Sequence, residues 1–311
     1  MTHRLALAVV NGHPDDESVM AGGVMARYAA EGLRVVCITA TRGEVGQIVA
    51  PDVDTPVNRA RLGEIREQEE RRALERLGPI ELRFLGYRDS GVAGTTPNDD
   101  PRAFCRADID EAVGRVVQIL RAVQADVVIC PNTFGADGHP DHVRASQVAR
   151  LAFARAGDPR AYLEQLRDGD LQPWTASKLY ERVTASGRRE KLARALAEGG
   201  VLGLGRVSLR VARRWRPGVE RDRARIAAAQ QPASTRVDVG AYLEAREAAL
   251  REHRTQISPG SALFALSPEE RRRVDPTEDF TLVESRVPVN MPEDDLFAGL
   301  RAVDQARDGT A

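Results

Sequence analysis

Two short apolar runs separated by a helical stretch constrain the first part of this chain most strongly. Residues 5–10 and 33–40 are each typical of a buried strand, and residues 18–32 between them have apolar side chains at helical spacing. A strand, a helix and a second strand in this order form a βαβ unit, which requires parallel pairing and a right-handed crossover. The sequence therefore predicts an α/β protein with a Rossmann-like, doubly wound and mainly parallel sheet.

The alternation of strands and helices continues to about residue 157 and then fades. We expect residues 1–160 to form the core that carries both motifs described below, and residues 161–311 to form the C-terminal part of the same domain. The second part is expected to hold a helical insertion or lid at about 188–230 and a mostly irregular, proline-containing tail that wraps the core. The remaining predicted elements are helices at 57–77, 107–123, 142–156 and 242–254, and strands at 80–85, 127–130, 174–183 and 235–239.

Composition narrows the class of protein. The chain has 311 residues, 42% hydrophobic and 29% charged, with a net charge of -1, which is globular and offers no global attraction to nucleic acid or to an anionic membrane. No apolar run reaches the length of a membrane span, and the N-terminus leads directly into the first strand without a signal peptide. We therefore expect a cytoplasmic protein that binds small molecules, with an oligomer possible. The three scattered cysteines include no CxxC pair, so a cysteine-based zinc site is not expected.

Two loops rich in metal-ligand side chains follow two of the predicted strands. Residues 11–18 follow the first strand, residues 137–142 follow the strand at 127–130, and three of the five histidines lie in these loops. Ligands bind at the carboxyl ends of the strands in doubly wound sheets, so we expect both loops to meet in one pocket. Their candidate functional residues are His13, Asp15, Asp16, His139, Asp141 and His142.

The spacing of these residues suits a catalytic metal. Such a site takes about three nitrogen or oxygen ligands and leaves one position open for water. His13 and Asp16 are three residues apart at the start of a helix, and His142 is the natural third ligand. Zn²⁺ is the expected metal, and Fe²⁺ also suits two histidines and a carboxylate.

The other polar residues of the two loops have candidate catalytic roles. Asp15 could take a proton from water, His139 could stabilise an oxyanion, and Asp141 could hold the His139 ring in position. The alternative is that each motif is an ordinary turn, in which proline fixes the backbone and aspartate caps the next helix. Two such motifs, each after a buried strand in a chain with few histidines, favour the metal site.

At these residues the sequence resembles the PIG-L/LmbE family of zinc-dependent N-deacetylases. Residues 13–17 and 139–142 match its two signatures, and the likeness is greatest to its mycothiol S-conjugate amidases and mycothiol-pathway deacetylases. The resemblance implies His13, Asp16 and His142 as zinc ligands, Asp15 as general base and His139 as its electrostatic partner. One departure is Asp137, where mycothiol enzymes have a tyrosine. Further matching segments are 42–44, 61–64, 88–91, 253–257, 276–280 and 293–299, in which the candidate substrate-binding residues are Glu44, Arg61, Asp89 and His253.

The leading functional hypothesis is hydrolysis of an N-acyl bond on an amino sugar, such as a mycothiol S-conjugate. Deacetylation of an N-acetylglucosaminyl intermediate in glycolipid, thiol or antibiotic biosynthesis is the alternative within the same chemistry. A nucleotide-binding module is rejected, since the turn after the first strand is acidic and lacks the G-x-G-x-x-G pattern. A non-catalytic partner- or sugar-binding protein with a vestigial metal site is a further alternative, and the presence of Asp15 argues against it.

Overall fold

A computed structural model of the protein describes residues 3–168, 171–183 and 232–301, and the predicted insertion at 188–230 lies outside these residues. The described strands are β1 (Ala6–Asn11), β2 (Arg34–Thr41), β3 (Ile80–Tyr87), β4 (Val127–Cys130), β5 (Lys178–Arg182), β6 (Thr235–Asp238) and β7 (Thr277–Ser285). They form one seven-stranded sheet in the order β3-β2-β1-β4-β5-β7-β6. The first five strands of this order are parallel, and β7 is antiparallel to both β5 and β6. The predicted α/β fold with a mainly parallel sheet is confirmed.

Helices cover both faces of the sheet and bury two apolar cores. The described helices are α1 (Asp16–Met20), α2 (Gly22–Ala30), α3 (Pro56–Ala60), α4 (Leu62–Leu77), α5 (Ile109–Val123), α6 (Gly135–Gly138), α7 (Pro140–Arg155), α8 (Leu163–Arg167), α9 (Leu243–Glu252) and α10 (Pro268–Val274). Alternate residues of β1 point to opposite faces of the sheet. Leu7 and Val9 join the core under α2, α4 and α9, whereas Ala8 and Val10 join the core under α5 and α7.

The strand order reverses between β1 and β4, and this reversal positions the site. β2 and β3 lie on one side of β1, whereas β4 and β5 extend the sheet on the other side. Loops that leave the carboxyl ends of two such adjacent strands diverge to opposite faces and leave a crevice between them. Both motif loops leave the sheet at this switch point.

The tail after residue 254 contains a helix and a strand that the sequence did not predict. Residues 268–274 form α10, which begins with a capping box between Ser267 and Glu270, and residues 277–285 form the nine-residue strand β7. The strand contains the charged pair Glu278 and Asp279, which hides its strand character in the sequence. Both side chains are buried, and Glu278 accepts hydrogen bonds from the backbone N–H groups of Gly23 and Val24 at the start of α2.

Two predicted helices are each divided in the structure. The stretch 18–32 forms α1 and α2 with a break at Ala21, and the stretch 57–77 forms α3 and α4 with a break at Arg61. None of the helices within the described ranges is both long and apolar enough to cross a bilayer.

Candidate metal centre and active site

The two motif loops meet beside the β1–β4 pair. His13 lies two residues after the end of β1, Asp16 begins α1, and His142 lies in the first turn of α7. The His13 Nδ1 and His142 Nε2 atoms are 3.2 Å apart, and Asp16 Oδ2 lies 3.2 Å from His142 Nε2 and 3.7 Å from His13 Nδ1. Ligands at about 2.0–2.1 Å in tetrahedral geometry are roughly 3.3 Å from one another. The three side chains thus have the spacing of one face of a tetrahedral metal site, and all three are buried.

Hydrogen bonds on the far side of each imidazole ring prepare these atoms for a cation. His13 Nε2 lies 3.0 Å from the Asp141 carboxylate, and His142 Nδ1 lies 3.2 Å from the carbonyl oxygen of Gly135. Each outer nitrogen therefore donates, which leaves the lone pairs of the two inner nitrogens facing each other and the Asp16 carboxylate. Such an arrangement is repulsive unless a proton or a metal ion lies between the three groups. The donor set therefore fits a divalent metal.

Gly12 makes the close approach of these ligands possible. A Cβ atom at this position would lie 2.8 Å from His142 Cδ2 and 3.4 Å from Asp16 Oδ2. The Gly12 and His13 N–H groups also donate to the same Asp16 oxygen, at 3.0 Å and 2.9 Å, and so fix its carboxylate.

Ionisation of the ligands reflects the same crowding. Burial alone would lower the pKa of His13, but its hydrogen bonds to Asp141 and Asp89 outweigh burial and raise that pKa to about 9. Burial would raise the pKa of Asp16, but the neighbouring His142 and His13 hold it well below its usual range. A proton on His13 beside the ionised Asp16 is therefore favourable, and a bound metal ion would take the place of this proton as the positive charge among the ligands.

Asp15 lies beside the ligands in an unusual backbone conformation. Its φ of 115° is in the region that favours glycine, which costs on the order of 1–3 kcal/mol for another residue. Its carboxylate is 3.2 Å from the Arg66 guanidinium and retains 22% of its exposure, so that water reaches it. Burial raises the pKa of Asp15 to about 6, although Arg66 opposes the shift. A carboxylate with this pKa suits general-base chemistry near neutral pH.

His139 and Asp141 are arranged differently from the expectation. The carboxylate of Asp141 does not hold the His139 ring: it contacts His13 Nε2 and both the N–H and the hydroxyl of Ser90. The backbone N–H of Asp141 instead donates to His139 Nδ1 at 3.2 Å, which leaves the ring proton of a neutral His139 on Nε2. Burial, with His13 and His142 nearby, lowers the pKa of His139 to about 4.

The reason for this difference is where α7 begins. It begins at Pro140 rather than at His142, so His139 is the N-cap residue and Asp141 belongs to the first turn. His13, Asp89, His139 and Asp141 also form a wider group that could hold a cation. However, Asp89 and Asp141 face the outer nitrogen of His13, at 3.4 Å and 3.0 Å, where they orient the ring.

The four candidate substrate-binding residues occupy different environments. Asp89 is buried, and its carboxylate accepts from the N–H groups of Gly91 and Val45, so it belongs to the wall of the site. Glu44 is half-buried and accepts from the N–H of Asp89. Arg61 is exposed at the α3–α4 break and pairs with Glu64.

His253 does not face the site, so its expected substrate contact is corrected. Its side chain is fully buried behind α1, with Nε2 2.7 Å from the Glu17 carboxylate. Burial would lower the pKa of His253, but Glu17 outweighs burial and raises that pKa to about 9. The side chain of Asp137, the departure from the family resemblance, lies outside the described residues.

Sequence reasoning missed three residues that complete the site. Arg66 pairs with Asp15 and donates to the carbonyl oxygens of Pro14 and Gly43, and Ser90 binds the Asp141 carboxylate. Glu17 accepts the N–H of Asp15 at 2.8 Å. Glu17 and Ser90 had a signal in the sequence, because Glu17 ends the first motif and Ser90 lies in the matching segment 88–91, whereas Arg66 is one of several arginines on a charged helix.

A mainly parallel α/β sheet that brings two histidines, one aspartate and an adjacent carboxylate together has a candidate metal centre of the kind found in hydrolases. Residues 8–153 match the family model described as PIG-L: GlcNAc-PI de-N-acetylase. The chain is 37% identical, over 99% of its length and 94% of the relative's, to the 1D-myo-inositol 2-acetamido-2-deoxy-alpha-D-glucopyranoside deacetylase of Streptomyces scabiei. The corresponding enzyme of Geodermatophilus obscurus is 38% identical over 96% of this chain and 99% of its own. The chain belongs to the PIG-L family of de-N-acetylases.

Solved structures confirm the fold and leave the reaction open. N,N'-diacetylchitobiose deacetylase from Pyrococcus horikoshii matches with a TM-score of 0.61 at 20% identity, covering 89% of this chain and 83% of that one. The 4-carboxy-2-hydroxymuconate hydratase from Pseudomonas putida matches with a TM-score of 0.59 at 19% identity, covering 92% and 99%. Since a deacetylase and a hydratase share this fold, the reaction must be argued from the site and from the full-length relatives.

Proposed function

We propose that this protein is a zinc-dependent hydrolase that removes the acetyl group from a 2-acetamido sugar linked to inositol. The observation that carries the proposal is the facing trio of His13 Nδ1, His142 Nε2 and the Asp16 carboxylate, with Asp15 beside it. The named activity of the full-length relatives supports the substrate class. Two imidazoles and one carboxylate suit Zn²⁺, and Fe²⁺ suits the same ligands.

In this proposal the residues of the chain divide the chemistry among them. A bound divalent metal would supply a Lewis acid that polarises the acyl carbonyl and lowers the pKa of water at the site. Asp15 takes the proton of the attacking water and returns it to the sugar nitrogen as the C–N bond breaks, so the products are acetate and a free amine. His139 donates its Nε2–H to the oxyanion that develops on the carbonyl oxygen.

The positions of the other side chains support these roles. Asp141 orients the His13 ring from behind, and Arg66 sets the direction of the Asp15 carboxylate. Glu44, Arg61 and Asp89 are proposed to form the sugar or inositol side of the site, with Asp89 acting from its wall.

The experiment is release of amine and acetate from N-acetylglucosaminyl-inositol by protein of known metal content, loaded in parallel with Zn²⁺ or Fe²⁺. A mycothiol S-conjugate is tested beside it, since the amidase reaction needs the same site and a larger opening. We expect release from the acetylated sugar, with the zinc form active. Amine release only from the conjugate would assign the amidase activity. No amine release from either substrate, by protein with one metal ion bound per chain, would overturn the proposed substrate class.

Two variants test the division of roles. Asp15→Asn should retain one metal ion per chain and lose about 10²- to 10⁴-fold in kcat, because a positioned base contributes that much. His13→Ala should lose both metal and turnover. Equal metal loss in the two variants would remove Asp15 from the role of base, and a metal-free but active His13→Ala protein would remove the metal from the reaction.

A further inference from the structure

Behind the metal ligands, the first motif ends in a buried carboxylate that none of the proposed catalytic steps uses. Glu17 is fully buried. One oxygen, Oε1, contacts His253 Nε2 at 2.7 Å and accepts from the Ser18 hydroxyl at 2.5 Å. The other oxygen, Oε2, accepts the backbone N–H of Asp15 at 2.8 Å. Glu17 therefore links a histidine from the C-terminal half to the backbone of the proposed base.

The backbone of Asp15 needs such a link. Its φ of 115° and ψ of -29° lie in a region that a residue with a Cβ adopts only when its surroundings enforce it. Because the side-chain direction follows from the backbone, the aim of the Asp15 carboxylate depends on keeping this conformation. The bond from its N–H to a charged carboxylate is of the strong, charge-assisted kind. Arg66 donates to the Pro14 carbonyl oxygen, so the peptide group before Asp15 is held at its oxygen by Arg66 and at its nitrogen by Glu17.

His253 keeps the Glu17 carboxylate in place. Its ring is fully buried at the end of α9, and in the same helix Arg246 donates to the carbonyl oxygens of Ser18 and Val19 in α1. The other titratable groups that interact with this pair within the described residues are Asp15, Glu70 and Cys37. Without His253, a buried carboxylate would lose its charged partner and would be expected to rearrange.

We propose that His253 and Glu17 form a buried positioning pair that fixes the strained backbone of Asp15 and so aims its carboxylate at the reacting water. This inference rests on the proposed function, since it assumes that Asp15 is the base. It assigns His253 a role through Glu17 and Asp15 in place of contact with the substrate.

Three histidine variants test the pair. His253→Leu removes the donor, and His253→Gln retains an N–H near the Nε2 position. His3→Leu is the matched control, because His3 pairs with Asp126 at the amino ends of β1 and β4. We expect His253→Leu to lose about 10- to 100-fold in kcat, the range for a slightly misplaced catalytic group, with KM and metal content unchanged. His253→Gln should recover most of the loss, and His3→Leu should keep wild-type turnover. An unchanged kcat in His253→Leu, or a change confined to KM, would overturn the proposal.

A double variant separates action through Glu17 from a general loss of packing. If His253 acts only through Glu17, Glu17→Gln combined with His253→Leu should be no slower than Glu17→Gln alone. Losses that multiply in the double variant would mean that the two residues act independently. Should His253→Leu fail to fold, the same comparison is made with His253→Asn, which remains polar but is too short to reach Glu17, and multiplying losses again overturn the pair.

Hydrogen exchange of the Asp15 amide gives a readout that does not depend on turnover. We expect the exchange to accelerate by about tenfold or more in His253→Leu, because the N–H···Glu17 bond loosens, and to stay at the wild-type rate in His3→Leu. Unchanged exchange would overturn the positioning role even if kcat fell. Faster exchange in a protein whose wild type releases no amine would contradict the proposed function and leave the positioning of Asp15 standing.

Discussion

Replacing Asp141 by asparagine removes the charge behind His13 while preserving the size of the side chain. Asp141 Oδ2 contacts His13 Nε2 at 3.0 Å and accepts from the Ser90 N–H at 2.9 Å, and Oδ1 accepts from the Ser90 hydroxyl. An asparagine with its oxygen at the Oδ2 position keeps the first two bonds and can donate its NH₂ to that hydroxyl. The geometry can therefore survive, and the variant measures the charge alone.

The expected loss in metal affinity follows from the hydrogen bond to His13. A bond to a charged partner contributes about 1.5–3 kcal/mol and a neutral one about 0.5–1.5 kcal/mol, so the difference is about 1–1.5 kcal/mol. This corresponds to roughly tenfold weaker metal binding, within the range of about 10- to 100-fold seen when partners of metal ligands are changed. At saturating metal, kcat should fall much less than the affinity does.

Competition with a chromogenic zinc chelator measures this affinity. The matched control is Asp126→Asn, because Asp126 also holds a histidine ring and a backbone N–H, those of His3 and Ala6, at the amino ends of β1 and β4. We expect the control to change stability without changing the metal affinity. An Asp141→Asn protein with wild-type zinc affinity would refute the role of Asp141 behind His13. A loss of kcat at full occupancy with unchanged affinity would instead favour the role beside His139 that the sequence suggested.

Three further changes test other parts of the site. Gly12→Ala should abolish stoichiometric metal binding, because the new Cβ would lie 2.8 Å from His142 Cδ2. Elemental analysis measures the bound metal, and full occupancy in the variant would contradict the prediction. Arg61→Ala should raise KM with kcat and metal content unchanged, whereas an unchanged KM would remove it from the substrate site. Burial and Glu17 raise the pKa of Glu70 from 4.5 to about 8, so the free energy of unfolding should fall as pH rises through this window. Glu70→Gln should flatten that dependence in urea unfolding, and an equally steep slope would refute it.

The parts of the protein that the sequence predicts well are those set by local pattern. Strands β1, β2 and β4 follow from apolar runs, and the three proposed metal ligands follow from motifs placed directly after two of those strands. Because the order of the sheet places β1 beside β4, local signals were sufficient to bring His13, Asp16 and His142 together. No knowledge of long-range contacts was needed beyond the rule for doubly wound sheets.

What the sequence could not predict depends on partners far apart in the chain. β7 was missed because Glu278 and Asp279 look solvent-exposed, and their burial makes sense only once Glu278 caps α2 more than 250 residues earlier. Asp141 was assigned to His139 because the start of α7 was placed two residues too late. His253 was expected to contact substrate, since nothing near it in the sequence reveals Glu17, 236 residues away, as its partner.

These long-range contacts explain why the C-terminal half belongs to the site although it supplies none of the proposed metal ligands. Arg246 of α9 donates to the carbonyl oxygens of Ser18 and Val19, and its guanidinium also lies 3.3 Å from Glu278, which caps α2. These contacts of Arg246 and the contact of His253 with Glu17 hold the first motif from the side of α9. The family model ends at residue 153, whereas the deacetylase relatives match over nearly the whole chain. Because the C-terminal half fixes the backbone of the proposed base, we expect it to be needed for the activity, and the match of the deacetylase relatives across that half agrees with this expectation.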